Sequence, residues 1–422
     1  MARTPLTFAG FFFVAAALGC GAPIAPPAMG VRRVHDDVLV ERPADVFEGA
    51  KLRLDSPSLT AGISGQGPLK EAEIEGWLAE PRNHEPLDFI LPVGLRDDAA
   101  RLSVPAENPL TRAKIELGRQ LFFDKRLSKN AQHFSCGSCH PPRDQFAHPG
   151  HNLERPEDAL RTVPVVFNRI LSGPQFWDGR SASLEAQAVE PIRDAREMAN
   201  THEDCLASIA AIPGYRLQFE KIFGELSMDA VGKALASFQR AIVTGPSHVD
   251  VDRELSRLKG RELTPEQTSL KTELETLAGV EPLSPAARRG QELFRSDRLG
   301  CAACHTGANY TDEQYHNLGV GTERPEPDPG RFRVTSNPQD HGAFKTPTLR
   351  NIAHTHPYMH DGQLDSLQEV IAWYAKGGQA NPNLSPKLRP FELSSSEVQD
   401  LIAFLQALSG ALSPVQEHRL PR

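Results

Sequence analysis

An all-α fold built from two homologous domains is predicted by three features of the sequence. Several segments recur once, in the same order and with the same internal spacing, in the two halves of the 422-residue chain. The regular apolar patterns have the period of a helix, and the alternation typical of strands is scarce. The 35 Pro and 32 Gly residues predict long irregular connections between the helices.

The composition excludes several classes of protein. Lys plus Arg is 46 and Asp plus Glu is 54, which gives a formal charge of −8. Because a nucleic-acid-binding protein needs a basic face, we expect no nucleic-acid partner. A hydrophobic fraction of 39% and a charged fraction of 24% are ordinary for a globular protein that buries a core. After the first 20 residues, no apolar run is long enough to span a bilayer.

The first 20 residues have the pattern of an export signal. Arg3 precedes an apolar stretch from Leu6 to Leu18 that is too short to cross a membrane. The stretch ends in a segment, Ala17 to Cys20, that resembles the lipobox of bacterial lipoproteins, so Cys20 is a candidate lipid anchor. Ordinary signal-peptide cleavage nearby is the alternative. We therefore expect a signal peptide at residues 1–20, and a tether with an irregular extension at residues 21–90.

Two cysteine motifs carry the chemistry of the chain. Both have the form C-x-x-C-H, which is the attachment signature of c-type haem. Two thiols one helical turn apart can add to the two vinyl groups of one porphyrin, and the histidine that follows can bind its iron. Two such motifs in an exported chain favour two covalent haems over a zinc site or disulfides. The residues are Cys136, Cys139 and His140 in the first motif, and Cys301, Cys304 and His305 in the second.

The haem motifs lie in equivalent halves of the chain. Each is preceded by a Gly-x-x-Leu-Phe segment and followed by a Pro-x-x-x-Asn segment, an Asp-Gly pair and a Ser-Leu pair. From the Pro-x-x-x-Asn segment onwards, the spacings between these segments are identical in the two copies. We place the two haem domains at residues 91–262 and 263–412, with a tail at residues 413–422. The matching segments are Gly118–Phe122 and Gly290–Phe294, Pro164–Asn168 and Pro347–Asn351, Asp178–Gly179 and Asp361–Gly362, and Ser183–Leu184 and Ser366–Leu367.

Four amphipathic segments predict helices around these motifs. One leads into each haem motif, and the second of these is capped by a serine. A capping box opens a third helix, which two glycines end. A fourth carries one apolar stripe. The predicted helices span residues 113–122, 285–294 with the cap Ser284, 366–374 with Gly377 and Gly378 behind it, and 395–408.

From about Leu91 to Gly410 the chain resembles the bacterial di-haem cytochrome c peroxidases and their relatives that mature methylamine dehydrogenase. The resemblance implies two cytochrome c-like haem domains packed face to face in a periplasmic protein. It also implies that the haem of His140 is peroxidatic, with an open or openable distal face, and that the haem of His305 transfers electrons. The segments that carry the resemblance are Lys114–Ser128, Gln175–Arg180, Glu197–Met198, Lys345–Asn351 and Pro357–Gly362.

The resemblance assigns three side chains to catalysis. Peroxide must lose a proton from one oxygen and gain one on the other, and Glu197 stands in the position that moves it. Gln187 stands beside it as a hydrogen-bond donor. The alternative for Glu197 is a solvated surface charge, the usual fate of a glutamate. Trp177 stands in the position of the electron bridge between the haems, and the alternative is a core aromatic at the domain junction.

The sixth ligand of the second haem is either Tyr374 or Met359. Tyr374 resembles the position that holds the axial residue in the family, methionine in typical peroxidases and tyrosine in the maturation enzymes. The internal repeat aligns Met359 with Phe176, which indicates a packing position. We therefore favour Tyr374. A phenolate lowers the reduction potential of the iron, whereas a thioether raises it.

Two further features of the family are left open by this sequence. The family holds a calcium ion between the haems, and Thr355 and Pro357 match the positions of its carbonyl ligands. The third ligand position is Thr162 instead of asparagine, and a hydroxyl is a weaker calcium ligand than an amide oxygen. His148 and His151 are either distal ligands of the resting first haem or exposed loop residues.

Three functions are compatible with these residues. The leading hypothesis is an exported di-haem peroxidase that reduces hydrogen peroxide with electrons from a small cytochrome c or cupredoxin, entering at the C-terminal haem. A maturation-type oxidase acting on a protein or aromatic substrate is the second. A di-haem electron carrier is the third, and Glu197 with Gln187 argues against it. A homodimer is a candidate assembly.

Overall fold

Helices dominate the computed structural model, which describes residues 43–129, 134–147 and 161–422. The strands within those residues are two to four residues long and form three small sheets. This confirms the all-α class predicted from the sequence, with minor strands at the junctions. The signal segment with Cys20 lies outside the described residues, and so do His148 and His151.

The regular elements of the described ranges follow in chain order. The helices are α1 (Glu71–Ala79), α2 (Arg112–Phe123), α3 (Cys136–Cys139), α4 (Leu184–Arg193), α5 (His202–Ala210), α6 (Pro213–Phe223), α7 (Met228–Ala241), α8 (His248–Leu258), α9 (Pro265–Val280), α10 (Pro285–Arg295), α11 (Phe332–Thr335), α12 (Leu367–Ala375) and α13 (Ser395–Gln406). The strands are β1 (Phe47–Glu48), β2 (Lys51–Arg53), β3 (Phe89–Ile90), β4 (Thr244–Ser247), β5 (Tyr315–His316), β6 (Phe344–Lys345) and β7 (Gly410–Leu412). β2 pairs with β1 antiparallel and with β3 parallel, whereas the pairs β4–β7 and β5–β6 are antiparallel.

The four predicted helices are present as α2, α10, α12 and α13. Their ends differ from the prediction by at most two residues, which is the usual uncertainty of a helix end. The side chains of Ser284, Ser366 and Ser394 cap α10, α12 and α13 by accepting a backbone N–H. Behind α12, Gly377 and Gly378 have φ values of 82° and 71°, a conformation that glycine adopts without strain.

Each haem domain is built on a close crossing of two helices. α2 packs on α7 in the first domain, and α10 packs on α13 in the second. Gly118 and Gly290 lie at the crossings, where an added Cβ would overlap the backbone oxygens of Ala234 and Asp400. The crossings also hold two aromatic pairs, Phe122 with Phe238 and Phe294 with Phe404, whose ring centroids are 5.2 and 5.0 Å apart.

The internal repeat extends to the backbone conformation. Asn168 and Asn351 have φ values of 57° and 56°, and Phe176 and Met359 have values of 68° and 71°. Both pairs are separated by 183 residues in the sequence. A positive φ is uncommon outside glycine, so its recurrence at matching positions confirms that the domains are homologous.

Residues 43–90 are more regular than the irregular extension expected from the sequence. They contain α1, whose residues Ile74 and Leu78 are buried, and the sheet of β1, β2 and β3. α1 packs on α6. The residue before α1 is Lys70 instead of a usual capping residue, and this is why the sequence did not predict it. No helix of the described residues is long and apolar enough to cross a membrane.

Candidate functional site

The first haem motif forms a short helix that ends at its histidine. Ser135 precedes α3, and its N–H donates to the hydroxyl of Ser138 at 3.0 Å. His140 follows α3, and its Nδ1 lies 3.1 Å from the backbone oxygen of Phe146. Because a carbonyl can only accept, Nδ1 carries the proton and Nε2 keeps its lone pair for a metal.

The second haem motif repeats this arrangement. Residues Cys301–Ala303 form one turn of 3-10 helix, and Nδ1 of His305 lies 3.0 Å from the backbone oxygen of Tyr310. Burial lowers the pKa of His305, which favours the neutral imidazole. Phe146 and Tyr310 share a left-handed backbone, with φ values of 54° and 51°. Neither carbonyl is predictable from the sequence, since any residue type supplies one.

The residues around each motif fit a covalent haem. All four thiols are free and partly exposed. The first motif faces a cavity of about 530 Å³ that Cys139 and His140 line, and a small pocket of about 60 Å³ is lined by Cys136 together with those two residues. The second faces a cavity of about 180 Å³ that Cys301, Cys304 and His305 line. Two accessible thiols and an oriented imidazole beside a cavity are the donor set that a c-type haem requires.

The first cavity brings Gln187, Trp177 and Glu197 together with His140. Gln187 lies on α4, one turn before Pro191, which also lines the cavity. The chain turns after α4, where the N–H of Glu197 donates to the oxygen of Asp194 at 3.0 Å. All three residues that the resemblance assigns to catalysis thus border one space.

Glu197 combines access to the cavity with partial burial. Its side chain opens onto the cavity and is exposed there, while protein atoms surround the rest of it. This burial raises the pKa of its carboxyl above the ordinary value of 4.5, and the nearby carboxylate of Asp194 adds to the effect. A raised pKa is typical of a carboxyl that exchanges protons near neutral pH.

Equivalent helices give the two cavities different side chains. α4 and α12 begin 183 residues apart, so their positions can be compared one by one. Gln187 corresponds to Val370, and Pro191 corresponds to Tyr374. Val370 and Tyr374 line the second cavity, as Gln187 and Pro191 line the first. Where the first site has the amide of Gln187, the second has the apolar side chain of Val370. Where the first has Pro191, whose side chain has no atom that could bind a metal, the second has the phenol of Tyr374.

Both candidates for the sixth ligand line the second cavity. Tyr374 is half-buried, and burial raises the pKa of its hydroxyl. A phenolate there would need a metal cation to offset this effect. Met359 lines the second cavity and a third, smaller one as well. Its counterpart Phe176 also lines two cavities, and the guanidinium of Arg180 lies 3.4 Å from its ring centroid.

Trp177 lies where the cavities meet. It lines the first, the second and the third cavity. Its indole Nε1 donates to the backbone oxygen of Thr162 at 2.9 Å, and its own backbone oxygen accepts from the N–H of Lys345 at 2.8 Å. The first domain therefore holds the indole, and the second domain holds the backbone of the same residue.

The three residues suggested for calcium line the third cavity, of about 110 Å³. These are Thr162, Thr355 and Pro357. The hydroxyl of Thr162 donates to the backbone oxygen of Met359 at 3.0 Å, so its proton is already engaged between the domains. A hydroxyl that donates its proton still has lone pairs that could bind a cation. The calcium site therefore stays a prediction.

Two cationic side chains near the cavities were not singled out from the sequence. Arg161 lines the first cavity and joins Asp178 of the first domain to Asp328 of the second, each at 2.7 Å. Lys345 is buried, and its Nζ donates to the Ser172 hydroxyl at 2.7 Å. Such residues lack a motif, because their pairing depends on how the domains pack.

Comparison with known proteins gives concordant results for both halves. The family model described as di-haem cytochrome c peroxidase matches residues 112–255, and the model described as cytochrome c matches residues 287–409. The methylamine utilization protein MauG of Methylorubrum extorquens is 35% identical over 325 residues, which cover 75% of this chain and 84% of that protein.

Two further relatives support the same grouping. The cytochrome c551 peroxidase of Nitrosomonas europaea is 34% identical over 316 residues, covering 73% of this chain and 83% of that protein. Among solved structures, a MauG-like protein associated with microbial copper homeostasis has a TM-score of 0.60 and 29% identity, covering 73% of this chain and 93% of its own.

Proposed function

This chain belongs to the di-haem cytochrome c peroxidase family, and on that premise we propose that it reduces hydrogen peroxide to water with electrons from a small redox protein. The family makes it an oxidoreductase with two c-type haems. The donor that we propose is a cytochrome c or a cupredoxin. Electrons enter at the C-terminal haem and pass to the N-terminal haem.

The difference between the two cavities is the observation that carries this proposal. Glu197 and Gln187 line the first cavity and not the second, and Pro191 beside them offers no ligand atom. The second is lined by Tyr374 and Met359, either of which can serve as a sixth ligand. A haem whose iron has a free coordination position suits a reaction centre, and a haem whose iron has six ligands suits an electron relay.

The side chains of the first cavity divide the proton chemistry between them. A haem held by Cys136, Cys139 and His140 would supply iron that binds peroxide and exchanges electrons. Glu197 takes the proton from one peroxide oxygen and delivers it to the other, which leaves as water. Gln187 donates a hydrogen bond that orients the peroxide. Two protons and two electrons complete the conversion of hydrogen peroxide to two molecules of water.

The haem of the second cavity would supply the electrons, and Trp177 would carry them to the first. His305 and Tyr374 hold the electron-transfer haem in our proposal, with Met359 as the alternative ligand. Trp177 borders both cavities and offers an easily oxidised π-system between them. A calcium ion held by Thr355, Pro357 and Thr162 would lie beside this path.

Location and assembly belong to the same proposal. We expect cleavage of the signal near residue 20, export to the periplasm, and a lipid anchor at Cys20. Domains at residues 91–262 and 263–412 and a homodimer complete the expected organisation. Mass spectrometry of the mature N-terminus tests the anchor, and sedimentation of the purified holoprotein tests the dimer.

A maturation-type oxidase is the second candidate. Tyr374 in the second cavity favours it, because an anionic phenolate stabilises high oxidation states of iron. The identity of 35% to a methylamine utilization protein supports it as well. Such an enzyme would oxidise a protein or aromatic substrate instead of a small electron donor.

One experiment separates these functions. The holoprotein is mixed with hydrogen peroxide and a reduced small cytochrome, and oxidation of the cytochrome is followed in a spectrophotometer. We expect catalytic oxidation, together with a high-spin first haem in the electron paramagnetic resonance spectrum of the oxidised protein. Two low-spin haems and no turnover would indicate an electron carrier. Negligible turnover with a high-spin first haem would favour the maturation-type oxidase.

A further inference from the structure

One asparagine recurs at the same position of the two haem domains without a role in the proposed reaction. Asn168 and Asn351 end the repeated Pro-x-x-x-Asn segments and are fully buried. Both have a left-handed backbone, which asparagine tolerates better than most residues. A buried amide must be hydrogen bonded, so its partners indicate what it holds in place.

The acceptor side of each amide is fixed to one small sheet. Oδ1 of Asn168 accepts the N–H of Thr244 at 3.0 Å, and Oδ1 of Asn351 accepts the N–H of Gly410 at 2.8 Å. Thr244 is in β4 and Gly410 is in β7, and these two strands pair with each other. The two amides are therefore anchored to the same structural unit.

The donor side of each amide reaches into the other domain. Nδ2 of Asn351 donates to Oε1 of Gln145 at 2.7 Å. Gln145 precedes Phe146, whose backbone oxygen lies 3.1 Å from Nδ1 of His140. The asparagine of the second domain thus supports the loop that orients the histidine of the first.

The reciprocal contact has the same form. Nδ2 of Asn168 donates to Oδ1 of Asn309 at 3.3 Å. Asn309 precedes Tyr310, whose backbone oxygen lies 3.0 Å from Nδ1 of His305. We infer that Asn168 and Asn351 are reciprocal positioning residues, each of which holds the histidine loop of the haem in the opposite domain.

Both loops need such support. Gln145, Phe146 and Tyr310 have positive φ values of 58°, 54° and 51°, a conformation that persists only where the surroundings enforce it. Oδ1 of Asn309 also accepts a hydrogen bond from the hydroxyl of Thr348 at 3.0 Å, so the loop of the second site has a second support. The loop of the first site should therefore depend more on its asparagine than the loop of the second.

The consequence concerns the reduction potentials. A hydrogen bond from Nδ1 to a carbonyl makes an axial imidazole a stronger donor to iron, and this stabilises the oxidised state. Weakening that bond should raise the potential of the haem concerned. This inference rests on the proposed function in one respect, which is the assignment of His140 and His305 as axial ligands.

The test uses Asn351→Gly and Asn168→Gly in the holoprotein, each as the control for the other. Glycine keeps the left-handed backbone and adds no charge. Spectroelectrochemical titration follows each haem by its own absorption. We expect Asn351→Gly to raise the midpoint potential of the N-terminal haem only, and Asn168→Gly to raise that of the C-terminal haem by a smaller amount. If each asparagine had a merely structural role, its substitution would instead change the midpoint potential of the haem in its own domain.

A second variant protects the test against misfolding. Gln145→Asn keeps the left-handed backbone but is one methylene too short to reach Asn351. It should raise the potential of the N-terminal haem as Asn351→Gly does, and the double variant should shift it no further. Unchanged potentials in Gln145→Asn, or additive shifts in the double variant, would overturn the inference. Missing haem or absent histidine ligation in the unmodified protein would instead overturn the proposed function.

Discussion

The carboxyl of Glu197 has two properties that a proton carrier needs. It opens onto the first cavity, and its pKa is raised by burial and by Asp194. The raised pKa increases the protonated fraction of this carboxyl relative to that of an ordinary glutamate at the same pH. Glu190 lines the same cavity, but its Oε1 accepts a hydrogen bond from the Ser181 hydroxyl at 2.5 Å. The two carboxyls thus form a matched pair for mutagenesis.

We predict that Glu197→Gln lowers peroxide turnover by about 10²- to 10⁴-fold, the usual contribution of a general acid–base group. The amide cannot take up the proton from peroxide. Because the ionised form must accept that proton, turnover in the unmodified protein should fall as the pH falls through an apparent pKa above 4.5. That acid limb should be absent from the variant. Steady-state oxidation of reduced cytochrome at several pH values measures both effects.

Glu190→Gln provides the control for this substitution. It removes a negative charge from the same cavity without removing the proposed proton carrier. We expect it to retain the acid limb and most of the turnover. Near-normal turnover in Glu197→Gln, with both haems attached, would refute the assignment of Glu197.

The identity of the sixth ligand gives a second prediction at this scale. If the Tyr374 phenolate binds iron, Tyr374→Phe should leave the second haem high-spin and raise its potential, since an anionic donor is lost. Met359→Leu should then leave the spectrum unchanged, because Met359 would only be a packing residue. Electron paramagnetic resonance and the charge-transfer absorption measure this. An unaltered low-spin second haem in Tyr374→Phe would identify Met359 as the ligand.

Residue types and spacing predict part of the site, and backbone groups form the rest. The C-x-x-C-H motifs predict the thiols and imidazoles, because covalent attachment allows few other residues. The carbonyls of Phe146 and Tyr310 leave no trace in the sequence, since every residue has one. Asn168 and Asn351 are visible as a repeat, but their partners are in the other domain. Only the packing of the two domains reveals what they bind.

At the scale of elements, the two helix crossings set how closely each haem domain packs. Gly118 lets α2 approach the backbone of α7, and Gly290 does the same for α10 and α13. We predict that Gly118→Ala and Gly290→Ala each lower the free energy of unfolding by about 1–3 kcal/mol, because an added Cβ meets backbone that cannot move aside cheaply. Thermal denaturation of the holoprotein measures this.

Gly76 provides the matched control for these two variants. It lies inside α1, where an added Cβ would meet no atom within 4 Å. Gly76→Ala should therefore stabilise the protein by about 0.5–1 kcal/mol, the usual advantage of alanine over glycine in a helix. Equal effects of all three substitutions would show that helix propensity, and not the close crossing, determines the outcome.

A serine cap and an amphipathic pattern are the local signals of the predicted helices. α10, α12 and α13 have both, and their bounds agree with the prediction within two residues. α1 lacks a usual capping side chain, and its burial depends on α6, far away in the sequence. Its existence follows from tertiary contact more than from local preference.

At the scale of the whole molecule, the C-terminal tail ties distant parts of the described chain together. Arg419 of the tail is buried, donates to the backbone oxygen of Ile63 at 2.9 Å and pairs with Glu73 at 2.8 Å. Its own backbone oxygen accepts from Arg119 of α2 at 3.0 Å. The tail thus holds the extension against the first haem domain. No local pattern predicts these contacts, because Arg419 is 356 residues from Ile63 and 300 residues from Arg119 in the sequence.

The junction of the two haem domains is fixed around Trp177. Lys345 of the second domain donates its backbone N–H to the oxygen of Trp177 at 2.8 Å. Its Nζ donates to the Ser172 hydroxyl at 2.7 Å and pairs with Glu313 at 2.7 Å. Burial lowers the pKa of this ammonium to about 8, and the Glu313 carboxylate opposes that effect. These contacts fix the backbone of Trp177 at the junction, and the bond from its Nε1 to Thr162 orients the indole.

We predict that Trp177→Phe preserves the initial reaction of the first haem with peroxide but slows the oxidation of the second haem. Phenylalanine fills the space yet is harder to oxidise than indole, and it cannot donate to Thr162. Stopped-flow spectra that follow each haem separately measure the two steps. Because Lys345 contacts the backbone of residue 177, the substitution should leave the domain junction in place.

Trp373→Phe is the control for loss of an indole as such. Trp373 belongs to the second domain, donates from Nε1 to the backbone oxygen of Leu318 at 3.1 Å, and stacks with Lys376. It lines none of the three cavities that Trp177 borders. Its substitution should therefore leave transfer between the haems unchanged. If Trp177→Phe also left this rate unchanged, electrons would have to pass between the domains by another path, and Trp177 would be a packing residue of the junction.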